Sequence, residues 1–206
     1  MNAPNCSSAK YFIDFKIFSK PPVSSKKAFS MKPIIVIVGR PNVGKSTLFN
    51  RITRSRHAIV DDQPGVTRDR LFADATWDDI PFTVVDTGGF STDLEDPFSP
   101  RIRVQVLQAI EEADVVVWVL DGKGGILPYD TEMAAILRSV PKPLICVANK
   151  IDGMGQEDHI YDFYQLGIEQ ILPVSAEHKY GFNDFMDALV AAFPKREEET
   201  LDASAA

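Results

Sequence analysis

The segment Gly39-Arg-Pro-Asn-Val-Gly44-Lys45-Ser46 lies between an apolar run, Ile34–Val38, and a helical stretch, residues 45–52. This junction restricts the possible folds more than any other feature of the chain. It matches G-x-x-x-x-G-K-[ST], and a strand before it with a helix after it is the context in which the pattern has a mechanism. Glycines at both ends let backbone N–H groups converge on phosphate oxygens, and the helix N-terminus adds its dipole. Gly39, Asn42, Val43, Gly44, Lys45, Ser46 and Thr47 are the candidate phosphate contacts. Lys45 can reach terminal phosphates and the Ser46 hydroxyl can ligate Mg²⁺.

The surrounding pattern is that of an α/β chain. Ile34–Val38 and residues 115–120 and 144–148 are continuous apolar runs of strand length, which indicates strands covered on both faces. Leu71–Trp77 and residues 82–85 flank Asp78-Asp79-Ile80-Pro81, a hairpin signal, and Ile171–Val174 is a last short strand. Helical spacing appears in Met133, Ile136, Leu137 and Val140, in Ile102, Val106 and Ile110, and from Phe182 to Phe193. The expected architecture is three-layered, with six mostly parallel strands, one of them antiparallel, and about five helices. Residues 31–194 form the expected domain.

Two further motifs end strands. Asp86-Thr-Gly-Gly89 follows residues 82–85, where Asp86 can hold Mg²⁺ and the Gly89 N–H can reach a γ-phosphate. Asn149-Lys150-Ile151-Asp152 follows residues 144–148. Guanine presents N1–H and a 2-amino group side by side, which the Asp152 carboxylate can accept together. Adenine offers an acceptor at N1 and would leave that carboxylate unpaired. Ser175-Ala176 ends the last strand, where a backbone N–H can donate to guanine O6.

The bulk properties set limits on partners. A net charge of −7 gives no broad attraction for nucleic acid, and DNA binding is not expected. The two cysteines, Cys6 and Cys146, make no disulfide framework, and no apolar run approaches the ~20 residues of a membrane span. A cytoplasmic location is expected. Residues 1–30 carry five lysines against one acid and no arginine. They read as a disordered or non-native leader before Met31, with an organellar targeting peptide as the alternative. Residues 195–206 read as an acidic linker or tail.

In this order the motifs resemble those of Ras-like P-loop GTPases, and more closely those of the Der (EngA) family of ribosome-assembly GTPases. The resemblance rests on residues 39–50, Pro-Gly-Val-Thr-Arg-Asp at 64–69, Asp-Thr-Gly-Gly at 86–89, Ala-Asp-Val-Val-Val at 113–117 and Asn-Lys-Ile-Asp at 149–152. It implies a GTP-binding and GTP-hydrolysing switch domain that serves large-subunit assembly, with the ribosomal subunit or its RNA as partner. It also implies that Thr67 closes over Mg²⁺ and the γ-phosphate when GTP is bound, and that residues 54–69 and 87–100 are switch loops. Asn42 would hold a K⁺ ion, so that Lys45, Thr67 and Asn42 form the catalytic set. Phe90 stands where many Ras-like enzymes place a water-orienting glutamine. That substitution leaves open a non-catalytic regulatory module, and an Era-like or tRNA-modification GTPase is a further alternative. Arg68, Arg70, His57, His159 and His178 read as exposed residues without a site role. The Der family has two GTPase domains in tandem, so the chain is expected to hold the first alone.

Overall fold

The computed structural model describes residues 32–54, 71–87 and 100–194. The leader 1–30, the tail 195–206, Thr67, Arg68, Arg70, His57, Gly89 and Phe90 lie outside the described residues. Within them the chain runs β1 (Ile34–Val38), α1 (Lys45–Thr53), β2 (Leu71–Trp77), β3 (Ile80–Asp86) and α2 (Pro100–Glu112). It continues through β4 (Val115–Asp121), α3 (Pro128–Leu137), β5 (Leu144–Asn149), a 3-10 helix (Met154–Leu166), β6 (Ile171–Val174) and α4 (Phe182–Ala191).

Strand composition explains the layering. In β4 every residue is buried, yet alternate side chains leave on opposite faces. Val115, Val117 and Val119 join Ile35, Ile37 and Val147 in a core under α1 and α4. Val116, Trp118 and Leu120 join Val36, Val38 and Cys146 in a second core under α2, α3 and the 3-10 helix. A sheet packed on both faces is the three-layer arrangement the continuous apolar runs predict. The 3-10 helix buries Phe163 and Leu166 and packs the partly buried Ile160 against the same core, a three-residue spacing that an α-helical period does not match. With α1 to α4 it makes five helical elements among the described residues. Among the described residues no helix is long and apolar enough to cross a membrane.

The strand order is β2-β3-β1-β4-β5-β6. Among the described strands only β2 runs antiparallel, paired with β3 from Leu71↔Asp86 to Trp77↔Ile80. The expected four-residue turn is tighter than predicted. Asp78 and Asp79 make it alone, both at positive φ, which matches the twist a two-residue hairpin requires. Ile80 and Pro81 already belong to β3. The parallel strands β3, β1, β4, β5 and β6 therefore all end at one edge of the sheet, and β1 lies between β3 and β4 where the winding reverses. A crevice outside the carboxyl ends of strands forms at such a point. Asp86, Asp121 and Asn149 are the last residues of β3, β4 and β5, so this edge carries every described motif.

The core predicts its own fragility. Phe185 on α4 is fully buried and meets Phe182 with ring centroids 6.1 Å apart. Phe185→Ala leaves a cavity and lowers stability by about 3–5 kcal/mol, measured as a fall in the urea midpoint with an unchanged slope.

Candidate functional site

The loop after β1 is shaped by residues with little or no side chain to obstruct it. Gly39 has φ +149°, and a Cβ there would lie 2.4 Å from the Val119 carbonyl oxygen. Gly44 has φ +95°, and its Cβ would fall 2.3 Å from the Asn149 carboxamide nitrogen. Asn42 adopts φ +64°, a conformation that asparagine tolerates better than most residues. Gly44 then caps α1 without a side-chain hydrogen bond, and the first turn of α1 holds no acid. The N–H groups of that turn and the positive end of the helix dipole are left for an anion.

Lys45 lies inside this loop, 7% exposed. Its Nζ donates to the carbonyls of Gly39 (2.8 Å) and Arg40 (2.9 Å). Burial pulls its pKa from 10.5 down to about 8, opposed by the charge of Asp86. The Ser46 hydroxyl donates to Asp86 Oδ2 at 2.7 Å, and Asp86 is fully buried. A hydroxyl and a carboxylate oxygen in contact beside an anion-binding loop suit Mg²⁺, which prefers few protein ligands and completes its shell with water and phosphate. Among the described residues no group of three or more His, Cys, Asp or Glu side chains could enclose a metal by itself. Thr47 is exposed, while Val43 is buried with its carbonyl turned toward β5.

The second half of the site begins where β5 stops. Asn149 is 3% exposed. Its Nδ2 donates to the Val43 carbonyl at 2.8 Å, and its Oδ1 accepts the Ala176 N–H at 3.0 Å. The structure thus gives Asn149 a bracing role between two loops, and the Ala176 N–H, expected for guanine O6, is engaged with that brace. Lys150, at φ +72°, sends Nζ to the Asn42 carbonyl and to Asp121 Oδ2, each at 2.7 Å. Asp152 accepts Lys123 Nζ at 2.6 Å on one oxygen and the Ser175 hydroxyl at 2.8 Å on the other. The bond from Lys123, then that from Ser175, holds the Asp152 carboxyl below its ordinary range. At neutral pH Asp152 is therefore a carboxylate, able to accept two neighbouring N–H donors.

The structure brings together Asn42, Lys45, Ser46 and Asp86 on one side and Asn149, Lys150, Asp152, Ser175 and Ala176 on the other. His159 and His178 are exposed, as the sequence suggests. Three residues that sequence reasoning passed over also take part. Arg40 reaches the Gly125 carbonyl at 3.3 Å and Asp130 at 3.4 Å. Asp121 binds Lys150. Arg51 on α1 donates to the carbonyls of Ala176 (2.7 Å) and Glu177 (2.6 Å). The available signal was positional, since Asp121 ends β4 in register with Asn149 of β5.

Removing the brace has a consequence that needs no ligand. Asn149→Ala leaves the buried Val43 carbonyl and Ala176 N–H without their partner. About 1–3 kcal/mol for each orphaned group predicts a lower urea midpoint for the nucleotide-free protein. An unchanged midpoint would contradict the bracing role.

The chain is similar to known proteins over most of its length. A family model described as "50S ribosome-binding GTPase" matches residues 34–150. The chain is 55% identical over 167 residues to GTPase Der of Desulforapulum autotrophicum, covering 81% of this chain and 34% of that protein. It is 52% identical over 172 residues to GTPase Der of Geotalea daltonii, covering 84% and 39%. This chain thus spans little more than a third of the length of these relatives. Among solved structures, Aquifex aeolicus Era bound to GDP·AlF4− superposes with a TM-score of 0.63 at 28% identity, over 81% of this chain and 59% of that one. The G domain of the T. maritima FeoB iron transporter superposes with a TM-score of 0.58 at 22% identity, over 79% and 99%, a likeness of fold. The chain belongs to the 50S ribosome-binding GTPase family, and within it to the Der GTPases.

Proposed function

We propose that this chain is a guanine-nucleotide switch domain that binds GTP across the carboxyl edge of its sheet and hydrolyses it slowly. The observation that carries this reading is the convergence of two chemistries on one edge. A buried ammonium and a free helix N-terminus face where phosphates would lie, and the Asp152 carboxylate faces where a base would lie. Asn149 touches both loops, which suits a ligand with a charged end and a donor-bearing ring.

In this reading the Lys45 ammonium turns from the Gly39 and Arg40 carbonyls to the terminal phosphates. Val43, Gly44, Ser46, Thr47 and Gly89 offer N–H groups to the phosphate oxygens, and Gly39 lets the loop turn. Ser46, Asp86 and Thr67 hold Mg²⁺, and Asn42 holds K⁺. Bound there, the two cations neutralise charge that develops as the terminal phosphate is transferred. Asp152 accepts the guanine N1–H and 2-amino group, Lys150 and Asn149 fix the geometry beneath, and the Ser175-Ala176 turn closes the O6 side. The kinship with Der GTPases supports a role of the whole protein in assembling the large ribosomal subunit, with that subunit or its RNA as partner. Residues 31–194 form the GTPase domain, flanked by a leader and a linker. Phe90, in the position of the usual glutamine, favours a second reading, a regulatory module that holds nucleotide without turning it over.

Single-turnover hydrolysis in Mg²⁺ separates these readings. Faster turnover in K⁺ than in Na⁺ at equal ionic strength, abolished by Asn42→Ala, is expected of the enzyme. Binding without turnover in either salt identifies the regulatory module. Lys45→Ala is expected to weaken GTP binding at least tenfold, and unchanged affinity would refute the phosphate-site assignment.

The buried lysine also predicts a pH dependence. Its pKa in the free protein is about 8, and a bound triphosphate raises it by stabilising the charged form. Affinity is therefore level below about pH 7 and falls as pH rises through 8, because the free protein loses the charge that the complex retains. The difference between wild type and Lys45→Ala isolates this effect from ionisation of the base.

A further inference from the structure

Asp121 lies outside the phosphate and base motifs, yet it holds both loops. It is the last residue of β4 and its side chain is 11% exposed. Oδ2 accepts Lys150 Nζ at 2.7 Å. Oδ1 accepts the backbone N–H groups of Lys123 and Gly124, each at 3.1 Å. Arg40 Nη2 approaches Oδ2 at 3.8 Å. Burial alone would raise the Asp121 pKa, but the bond from Lys150 and those from the two backbone N–H groups hold it below the ordinary range. The group is a carboxylate.

These contacts form two chains. The first runs from Asp121 through the Lys150 ammonium to the Asn42 carbonyl. Arg40 returns from the same phosphate loop to Asp121 and closes a circuit. The second runs through the turn that Asp121 caps. Capping fixes residues 121–124, and that turn presents Lys123, whose ammonium meets Asp152 at 2.6 Å. The turn is tightly packed, since a Cβ on Gly124 would lie 2.7 Å from Arg40 Nη2 and 3.2 Å from the Asp121 carboxylate, and Arg40 would have to shift to admit one. One carboxylate thus sets Lys150 against the phosphate loop and Lys123 against the base-side carboxylate.

We infer that Asp121 is a positioning residue for guanine recognition, which fixes the spacing between the phosphate loop and Asp152 without touching the nucleotide. A nucleotide is a two-headed ligand, and its second contact is strong only when the two halves of the site are held at the span of the ligand. With the strut intact, Asp152 lies where it can accept both guanine donors at once. With the strut loosened, phosphate binding survives while the paired acceptance from N1–H and the 2-amino group degrades.

This inference rests on the nucleotide reading above, and the test separates the two. Asp121→Asn keeps the shape and the acceptor for the Lys123 and Gly124 N–H groups but removes the charge that holds Lys150 and Arg40. Affinities for GDP and for inosine diphosphate, which keeps the ring N–H and lacks the 2-amino group, are measured by calorimetry for wild type and variant. The expected result is about a tenfold loss for GDP with a clearly smaller loss for inosine diphosphate, so the ratio between them falls at least threefold. Arg40→Gln, which leaves the Lys150 bond in place, is expected to shift the ratio in the same direction by less, and it serves if the Asp121 variant does not fold. A purely structural role would lower both affinities equally. Equal losses, or none, in a protein whose wild type prefers GDP would overturn the positioning role and leave the proposed function standing. A wild type without preference for GDP would overturn both.

Discussion

The Asn149 carboxamide joins two loops that are far apart along the chain, accepting from Ala176, 27 residues later, and donating to Val43, 106 residues earlier. Both bonds are buried, and each satisfies a backbone group that has no strand or helix partner. The rest of the site depends on this brace. Gly44 must lack a side chain because the carboxamide fills the space beside it. Lys45 follows Gly44 directly, and its ammonium is held by the Gly39 and Arg40 carbonyls of the same loop. The base-side turn is fixed by the same residue from the other direction, with Arg51 of α1 holding the Ala176 and Glu177 carbonyls.

Charge within the site follows from burial. Lys45 is the buried cation and is drawn down to about 8, whereas Asp121 and Asp152 are held ionised by lysines that reach them from neighbouring loops. Asp130 goes the other way. Its side chain is fully buried and burial raises its pKa, although the Leu127 N–H donates to it and Arg40 lies 3.4 Å away. The phosphate loop thus holds a buried ammonium, and the base side holds an ionised carboxylate, Asp152, paired with Lys123.

The fold was legible because its strands carry their burial openly. The β4 run from Val115 reads as a strand buried on both faces, and the structure assigns its alternate residues to two different cores. The phosphate loop was legible because its backbone conformation demands glycine at Gly39 and Gly44. The 3-10 helix was less so, since Ile160, Phe163 and Leu166 recur every three residues and not at an α-helical period. Asp121 escaped notice for a different reason. An aspartate followed by glycine at a strand end is also the ordinary sequence of a turn, and its contacts with Lys150 and Arg40 come from loops far away in sequence. The motif of Asn149 points to the base, and the structure adds that its buried carboxamide bonds the backbone of two loops, contacts no local sequence pattern announces.

Amide hydrogen exchange in the presence of Mg²⁺ and either GDP or ADP tests the central claim most directly. The account predicts that GDP slows exchange in both residues 39–46 and residues 149–152 with 175–177, and that ADP at the same concentration leaves the second group unprotected. Equal protection of both groups by ADP and GDP would contradict a guanine-reading site at this edge of the sheet.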